Sequence, residues 1–317
     1  MEQRKSNTRC GGIDVSKATL DVAGHGLEEM IKVVNGAAGF AELGAWYRAR
    51  GVTRVGVEAT GGYERALVTW LSAQGFEVVV HQPLEIRLFA RLKRLRAKND
   101  RIDAQLIAAA TAQVDAVRAA ADPRLTELAE RMTAYEQATE LLAQLRNCLE
   151  QVSLSDLRAA YETQARQLLA WKHQLLAELL KRIKAWPDLQ RRYELLRSLP
   201  GAGPVVAASL VIRMPELGSL DRGQAAALIG VAPFDRDTGQ HRGQRHITGG
   251  RARPRRMLYL AATVAKRHEP GFKALAQRLL ATGKAPKVVT VAVMRKLIEL
   301  ANLVLQRGAP WVPHLAS

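Results

Sequence analysis

The stretch that decides the fold of the first third of the chain is residues 12–34, GIDVSKATLDVAGHGLEEMIKVV. Its apolar residues fall into short groups separated by Gly, Ser and charged residues, which is typical of consecutive strands. Gly12–Val15 leads through Ser16–Ala18 into Thr19–Ala23, a pattern that predicts a β-hairpin. Ile31–Val34 predicts a third short strand. The segment as a whole therefore predicts a three-stranded meander.

Helices and strands alternate after this meander. Ala37–Arg50 has the apolar spacing of an amphipathic helix, and Arg54–Glu58 is a strand closed by the turn Thr60–Gly62. Tyr63–Gln74 again predicts a helix, and Phe76–Val80 predicts a buried strand. A meander followed by helix, strand, helix and strand is the order of a ribonuclease-H-like α/β domain. We therefore expect the first and fourth strands to be neighbours in one sheet.

The middle of the chain predicts long helices. From Arg124 to Trp186 there is no Gly and no Pro, and apolar residues recur at spacings of three and four. Ser153–Asp156 interrupts this pattern with residues that favour helix caps, which predicts a helical hairpin. Such a hairpin is an internal support or an oligomerisation arm, and a packed helical linker remains an equal alternative.

The last third of the chain predicts further helices around a glycine turn. Residues 199–204, LPGAGP, precede the apolar segment Val205–Ile212 and look like half of a helix-hairpin-helix. In that motif the backbone amides of the turn hold a phosphate, a role that we assign to Gly201 and Gly203. Ordinary helix–helix turns share this sequence and remain the alternative. Three more helices are predicted over Arg253–Lys266, Gly271–Ala281 and Pro286–Leu305.

Net charge and the absence of targeting segments limit the function. The 317 residues include 47 basic and 30 acidic side chains, a formal net charge of +17, which favours nucleic acid or an acidic membrane surface as partner. No apolar run approaches the ~18–20 residues that span a bilayer, and the first residues lack a signal-peptide pattern. Cys10 and Cys148 form neither a zinc pattern nor a disulfide framework. We expect a cytoplasmic protein that acts on DNA or RNA, without a membrane partner.

Two stretches concentrate the basic residues. Residues 87–101 carry seven Lys or Arg side chains, of which we assign four to nucleic-acid contact: Arg94, Arg96, Lys98 and Arg101. Residues 236–256 hold seven arginines and one acid, Asp237. Because arginine binds phosphate in a bidentate manner, we expect contacts from five of these: Arg236, Arg242, Arg245, Arg251 and Arg255. A solvated surface charge is the alternative for each.

Four acidic residues lie at the ends of predicted elements in the first domain. Asp14 lies near the end of the first strand and Glu58 at the end of the fourth, so the expected sheet brings them side by side. Asp100 and Asp103 share one face at the start of a later helix, as an i, i+3 pair. Such a quartet suits two Mg²⁺ ions about 3.5–4 Å apart in phosphoryl transfer. Each acid alone is equally an ordinary turn, edge or helix-start residue, and two further acids are alternative ligands: Asp21 and Glu64.

Six segments of the chain together resemble insertion-sequence family one-ten, the DEDD transposases related to the Piv-type DNA invertases. Each segment is short, but their combination and order are highly specific, and the resemblance covers nearly the whole chain. The segments are 12–17 (GIDVSK), 57–64 (VEATGGYE), 100–104 (DRIDA), 199–204 (LPGAGP), 230–234 (GVAPF) and 243–259.

The resemblance implies three domains. They are a RuvC-like DEDD domain over residues 9–118, a coiled-coil connector over 119–190 and a mostly α-helical C-terminal transposase domain over 191–308. It also implies site-specific recombination of target and donor DNA, guided by a structured RNA and carried out by a homo-oligomer of two to four subunits. The Mg²⁺ ligands that it implies are Asp14, Glu58, Asp100 and Asp103.

One position departs from the family pattern. The family's nucleophile is a serine in a Pro-x-x-x-x-Ser-Gly context, and the matching residues 233–239 here read PFDRDTG. Thr238 therefore takes the serine position. A threonine hydroxyl can form a phosphoester, but its branched side chain hinders attack. Three outcomes stay open, namely that Thr238 is the nucleophile, that activity is reduced or that the copy is inactive; we expect a working or weakened nucleophile.

Three functions are consistent with these residues. The leading hypothesis is a recombinase that uses Mg²⁺, the four carboxylates and the Thr238 hydroxyl to form a covalent protein–DNA intermediate. The second is a structure-selective nuclease of the same fold, which would attack with water and would not need Thr238. The third is an inactive transposase remnant that binds nucleic acid and needs neither the carboxylates nor the hydroxyl.

Overall fold

A computed structural model describes residues 9–94, 100–115, 122–234 and 246–313, and for residues 100–102 it describes the backbone alone. These residues form two compact units. Residues up to 115 belong to the first unit and residues from 122 belong to the second. The segment predicted as a connector therefore lies in the same compact unit as the C-terminal helices.

The first unit is built on one mixed five-stranded sheet, in the order β3-β2-β1-β4-β5. β1 pairs antiparallel with β2, and β2 pairs antiparallel with β3, which confirms the predicted meander. β4 is parallel to both β1 and β5, so the first and fourth strands are neighbours as expected. The strands are β1 (Arg9–Val15), β2 (Thr19–Gly24), β3 (Met30–Val34), β4 (Val52–Glu58) and β5 (Glu77–His81).

Helices cover both faces of this sheet. On one face, Ile13 and Val57 are fully buried in a core with Leu43 and Leu71. Tyr47 belongs to the same core, and its hydroxyl donates to the carbonyl oxygen of Gly12 at 3.1 Å. The opposite face is covered by the last helix of the unit. The helices that the structure describes in this unit are α1 (Ala37–Ala49), α2 (Arg65–Ala73), α3 (Pro83–Leu92) and α4 (Asp100–Thr111).

The second unit is almost entirely helical. Within its described residues, the two-residue strands β6 (Pro233–Phe234) and β7 (His246–Ile247) form its one sheet. None of the helices in the described ranges is long and apolar enough to cross a bilayer. The helices are α5 (Pro123–Gln151), α6 (Ser155–Ala185), α7 (Pro187–Arg197), α8 (Pro204–Arg213), α9 (Arg222–Ile229), α10 (Ala252–His268), α11 (Pro270–Ala281) and α12 (Pro286–Arg307).

The long helices α5 and α6 form the predicted hairpin. Arg131 pairs with Glu178 at 3.3 Å, and Glu127 pairs with Arg182 at 2.6 Å. A step of four residues back along α5 thus matches a step of four forward along α6, so the helices are antiparallel. At the end of the hairpin formed by the first half of α5 and the last turns of α6, residues of both helices join the core of α7, α8, α10 and α12. The hairpin is therefore anchored in the C-terminal core.

Three described helices were absent from the sequence prediction: α3, α7 and α9. Both α3 and α7 begin with proline at the first helical position, where the missing N–H removes no hydrogen bond. α9 begins at a capping box in which Asp221 accepts from the backbone N–H of Gln224, and it ends at Gly230 with φ +82°. These start signals occur within short segments whose apolar periodicity is too brief to predict a helix.

Candidate functional site

Asp14 and Glu58 lie on one face of the sheet, on adjacent strands. Ile13 is the register partner of Val57 in the parallel ladder, so the next residues on the two strands, Asp14 and Glu58, occupy corresponding positions. Side chains alternate along a strand, and Ile13 and Val57 are buried on the α1 face. Asp14 and Glu58 therefore share the opposite face, and both are partly buried there.

Two glycines let α4 lie close against this face. A Cβ at Gly12 would lie 2.2 Å from the backbone nitrogen of Ala108 and 2.3 Å from the carbonyl oxygen of Ala104. A Cβ at Gly56, the partner of Gly12 across β1 and β4, would lie 1.8 Å from Oγ1 of Thr111. Side chains at these two positions would push the helix off the sheet. Glycine at both is therefore a requirement of the packing.

This contact brings the start of α4 to the carboxylate face. Asp103 directly precedes Ala104, whose carbonyl oxygen lies against Gly12, and Asp103 is partly buried. Asp100 is the first residue of α4, one turn before Asp103, but its side chain lies outside the described part. The backbone thus places the start of α4 against the strands that carry Asp14 and Glu58, and the grouping of the four carboxylates stays a prediction.

The described side chains alone do not complete a metal site. Among residues whose side chains the structure describes, no three His, Cys, Asp or Glu side chains come close enough together to hold an ion. Asp14, Glu58 and Asp103 belong to that set and form no such group, whereas the side chain of Asp100 lies outside it, so the predicted quartet stays a prediction. The donor chemistry nevertheless fits Mg²⁺, which prefers carboxylate oxygens and usually keeps several waters.

His81 joins the carboxylate face, which was not expected from the sequence. It is the register partner of Glu58 in β5 and is only 5% exposed. Its Nε2 lies 2.9 Å from Oγ1 of Thr111, whose hydroxyl donates to the carbonyl oxygen of Ile107 at 2.7 Å. The Thr111 hydroxyl proton is therefore used in a hydrogen bond within α4. In the contact between the two side chains, Nε2 of His81 is then the donor and the threonine oxygen is the acceptor. The histidine therefore ties β5 to α4 beside Glu58.

The same environment keeps this histidine neutral. Burial lowers the pKa of His81, and the carboxylate of Glu85, 3.9 Å from Nδ1, opposes that effect without overcoming it. A neutral ring avoids the desolvation cost of burying a positive charge. The position of His81 at the end of β5, level with Glu58, was the sequence signal that could have identified it.

The two alternative acids have structural roles. Glu64 accepts hydrogen bonds from the backbone N–H groups of Gly62 at 2.8 Å and Thr60 at 3.1 Å. Burial raises the pKa of Glu64, but these hydrogen bonds outweigh it and the net shift is downward. Asp21, opposite Asp14 on β2, forms an ion pair with Lys32 at 3.1 Å. Both carboxylates thus stabilise the frame around the site.

The predicted basic contacts after α3 are only partly described. Arg94 is exposed and has a left-handed backbone conformation with φ +57°, which ends α3. Arg96 and Lys98 lie outside the described residues, and of Arg101 only the backbone within α4 is described. The basic segment itself stays a prediction.

Two of the predicted phosphate-binding arginines instead hold the second unit together. Arg251 donates to both carboxylate oxygens of Glu216, at 2.7 and 2.5 Å, and to the carbonyl oxygen of Arg213 at the end of α8. Arg255 donates to the carbonyl oxygen of Gly249 and, at 3.4 Å, to that of Gly230. Both terminal nitrogens of Arg251 and one terminal nitrogen of Arg255 therefore make internal contacts.

These contacts fix the two ends of the arginine-rich loop. Gly230 and Gly250 are in close contact, since a Cβ at Gly250 would lie 2.2 Å from the backbone nitrogen of Gly230. Beyond them, Phe234 pairs with His246 across the β6–β7 ladder. Residues 235–245 connect the two strands and lie outside the described part, together with four predicted site residues: Arg236, Thr238, Arg242 and Arg245. The hairpin stem thus positions both ends of the segment that carries Thr238.

The glycine turn before α8 is a tight helix–helix connection. Gly201 has φ +74°, and a Cβ there would lie 2.2 Å from the carbonyl oxygen of Ala261 in α10. Gly203 is the N-cap residue of α8 and has open space around its Cα. Packing against α10 thus explains Gly201. The backbone N–H of Gly203 donates to the carbonyl oxygen of Gly201 at 3.0 Å, and the predicted phosphate contact at this turn stays a prediction.

Comparison with known proteins identifies the chain. A family model described as a transposase, of the IS110 DEDD type, matches residues 11–154. A second model, described as "Transposase IS116/IS110/IS902 family", matches residues 193–277. The pilin gene-inverting proteins of Moraxella bovis and Moraxella lacunata are each 25% identical over 317 residues, covering 95% of this chain and 96% of each relative. The chain therefore belongs to the IS110 family of transposases, enzymes that bind and recombine DNA.

Proposed function

We propose that this protein is a site-specific recombinase in which four carboxylates and the Thr238 hydroxyl act together on one DNA phosphodiester. The observation that carries the proposal is the packing of α4 over Gly12 and Gly56, on the face that Asp14 and Glu58 share. In this view the first unit is a RuvC-like domain spanning residues 9–118. This packing supports the proposal that acids from separate parts of the chain meet at the carboxyl ends of β1 and β4.

The carboxylates supply the electrostatic half of the mechanism. Asp14, Glu58, Asp100 and Asp103 would hold Mg²⁺, which neutralises charge on the phosphate and on the leaving oxygen. Asp14 and Glu58 lie on paired strands of a buried sheet, so their positions are set before DNA arrives. His81 keeps β5 and α4 in register beside them through its contact with Thr111.

Thr238 supplies the covalent half. Its Oγ1 attacks phosphorus, one bridging P–O bond of the DNA breaks, and the displaced deoxyribose oxygen takes up a proton. The resulting phosphothreonyl bond keeps the energy of the broken phosphodiester, so a DNA hydroxyl can reverse the step without a nucleotide cofactor. Arg236, Arg242 and Arg245 would stabilise the charge of the pentacovalent phosphate. Support comes from the sequence match around Thr238 and from the fixed hairpin stem.

The partners follow from the family and from charge. The relatives named as gene-inverting proteins rearrange DNA, so we infer that this chain joins a target to a donor DNA. A structured guide RNA would select both sites, which accords with the net charge of +17. We infer a homo-oligomer of two to four subunits, with residues 119–190, which include the α5–α6 hairpin, acting as a coiled-coil connector. Residues 191–308 would then form the transposase domain that carries Thr238.

A covalent trapping assay tests this proposal. Purified protein, guide RNA, Mg²⁺ and end-labelled target DNA should give a labelled protein band that survives denaturing electrophoresis. Thr238→Ala should abolish the band, and Thr238→Ser should preserve or raise it because a primary hydroxyl is less hindered. Thr248→Ala removes a hydroxyl from the other end of the same loop and should leave the band unchanged.

Two outcomes would contradict the proposal. A band that persists in Thr238→Ala would assign the nucleophile to another residue. Cleavage that releases free DNA ends, needs Asp14 and tolerates Thr238→Ala would instead identify a water-using nuclease.

A further inference from the structure

A cavity of about 360 Å³ opens between the end of α10, α11 and the start of α12. Ala276 and Val289 line it and are 7% and 1% exposed, so they form its apolar floor. Lys266, Arg267 and Lys273 line its rim. The cavity is thus apolar inside and cationic around its entrance, and all the residues that line it belong to the second unit.

Basic residues predominate around this cavity. Residues 264–290 contain six Lys or Arg side chains and one acid, Glu269. Glu269 is used to cap α11, since its Oε2 accepts from the backbone N–H of Phe272 at 2.6 Å. Across the described ranges, no ion pair with a carboxylate joins Lys266, Arg267 or Lys273.

The start of the same helix provides the contrast. Arg253 pairs with Glu136 at 2.7 Å, and Arg256 pairs with Glu140 at 2.8 Å. The cations near the start of α10 are therefore matched by acids of α5, whereas those near its end are not. Unmatched cations around a concave apolar surface give it a positive potential that attracts an anion.

Lys266 is held in place at the cavity. Its Nζ lies 2.8 Å from Oγ1 of Thr290, and the Thr290 hydroxyl donates to the carbonyl oxygen of Pro286 at 3.0 Å. An ammonium group has three N–H donors, and this contact occupies one of them. A fixed, partly buried ammonium loses little further side-chain entropy when it binds a phosphate.

We propose that this cavity binds one unpaired nucleotide of a single-stranded nucleic acid. The phosphate lies on Lys266, Arg267 and Lys273, and the sugar and base lie against Ala276, Leu280 and Val289. The volume is that of a small-molecule site, for which the usual range is roughly 300–1,000 Å³. A double helix is too wide to enter it. The inference rests on the proposed function only in that a nucleic-acid strand is the partner.

Binding of short labelled oligonucleotides tests the site directly. The probes are a fluorescein-labelled ten-nucleotide RNA, a DNA of the same sequence and the DNA duplex, each titrated with full-length protein and read by fluorescence anisotropy. The double variant Arg267→Glu/Lys273→Glu should weaken single-strand binding by more than about tenfold. The slope of log affinity against log salt should fall by about 0.7 for each lost contact.

A matched control separates the cavity from general surface charge. Arg278→Glu/Lys284→Glu makes the same change in net charge on neighbouring residues that do not line the cavity. It should weaken single-strand binding by less than about threefold. Ala276→Leu keeps every charge but fills the floor of the cavity, and should also weaken single-strand binding once its melting curve shows that it folds.

Each outcome decides the proposal. Selective loss in the cavity variants supports it, and the RNA and DNA probes then show which sugar the site accepts. Equal losses in the two double variants, or duplex binding with the same dependence on the cavity, would overturn it. No cleavage is measured, so failure here is distinct from failure of the covalent trapping assay.

Discussion

The two units of this protein bring their elements together by opposite means. In the first unit, α4 approaches the sheet because Gly12 and Gly56 lack side chains. In the second, α5 is joined to α8 and α10 because the carboxylate of buried Glu136 accepts from Arg213 at 3.0 Å and from Arg253 at 2.7 Å. One unit therefore leaves its acids beside a close helix–sheet contact, whereas the other uses acids and arginines as its internal framework.

This difference shows that charged residues must be sorted by their contacts before they are assigned a function. Arg251 and Arg253 lie in the arginine-rich stretch, yet both are ion-paired to glutamates within the second unit. No role was predicted from the sequence for Arg267 or Lys273, yet in the described structure neither has an acidic partner. The number of basic residues along the chain indicates the class of partner, but the contacts of each basic side chain must be known before it is assigned to that partner.

Removing the central acid of the second unit should have the largest effect on stability. Glu136→Ala leaves Arg213 and Arg253 without their carboxylate, and loss of one partner of a buried ion pair costs about 3–5 kcal/mol. Urea unfolding followed by circular dichroism, with hydrogen exchange read in α5 and α8 peptides, measures this loss. The matched change Glu140→Ala breaks the exposed pair with Arg256 and should cost at most about 1 kcal/mol.

Equal effects of the two substitutions would show that the Glu136 cluster contributes no more than a surface pair. In that case the description of the second unit as held by a buried ion-pair network would be wrong.

A side chain at the glycine contact should have the next largest effect. Gly12→Ala places a Cβ against the backbone of Ala104 and Ala108, which cannot move aside as a flexible side chain would. Overpacking of this kind costs about 1–3 kcal/mol. Faster hydrogen exchange in α4 peptides and loss of the covalent adduct are both expected. Gly36→Ala is the control and should change neither, because no atom lies within 4 Å of a Cβ at that position.

Unchanged exchange in α4 after Gly12→Ala would mean that the helix does not need this close approach. The grouping of Asp103 with Asp14 would then lose its structural basis.

The smallest effect should come from the pH dependence of His81. Its pKa is lowered in the folded protein, so the unfolded chain binds more protons as the pH falls below the usual histidine value of about 6.5. The contribution of the neutral ring to stability is therefore present above that pH and is lost as the pH falls towards the folded pKa. Urea unfolding at pH 7.5 and 5.5 should show a smaller difference in His81→Gln than in the unmodified protein. An identical difference would mean that His81 does not titrate with folding.

In the first unit, the sequence predicted the order of the strands and helices better than the contacts between their side chains. Alternating strands and helices are local patterns, and the order of β1 to β5 followed from them. The proximity of Asp14 and Glu58 followed in turn from that order. The role of His81 could not be predicted in this way. It depends on the contact with Thr111, thirty residues later, and no local pattern links the two residues.

In the second unit the local patterns were less informative. The hairpin of α5 and α6 was predicted because long uninterrupted periodicity is a strong signal. The partner of each arginine could not be predicted, since Arg251 and Glu216 are 35 positions apart in sequence and meet only through the packing of α8 and α10. Long-range ion pairs depend on tertiary structure, which composition does not contain.

Metal binding tests the central claim most directly. Titration of Mn²⁺, as a paramagnetic substitute for Mg²⁺, into the full-length protein should reveal sites that are lost in Asp14→Asn and in Asp103→Asn. Asp21→Asn changes the residue opposite Asp14 on β2, which is paired with Lys32, and should retain them. Unaltered Mn²⁺ binding in Asp14→Asn and Asp103→Asn, or equal loss in Asp21→Asn, would contradict a metal centre built on β1 and α4.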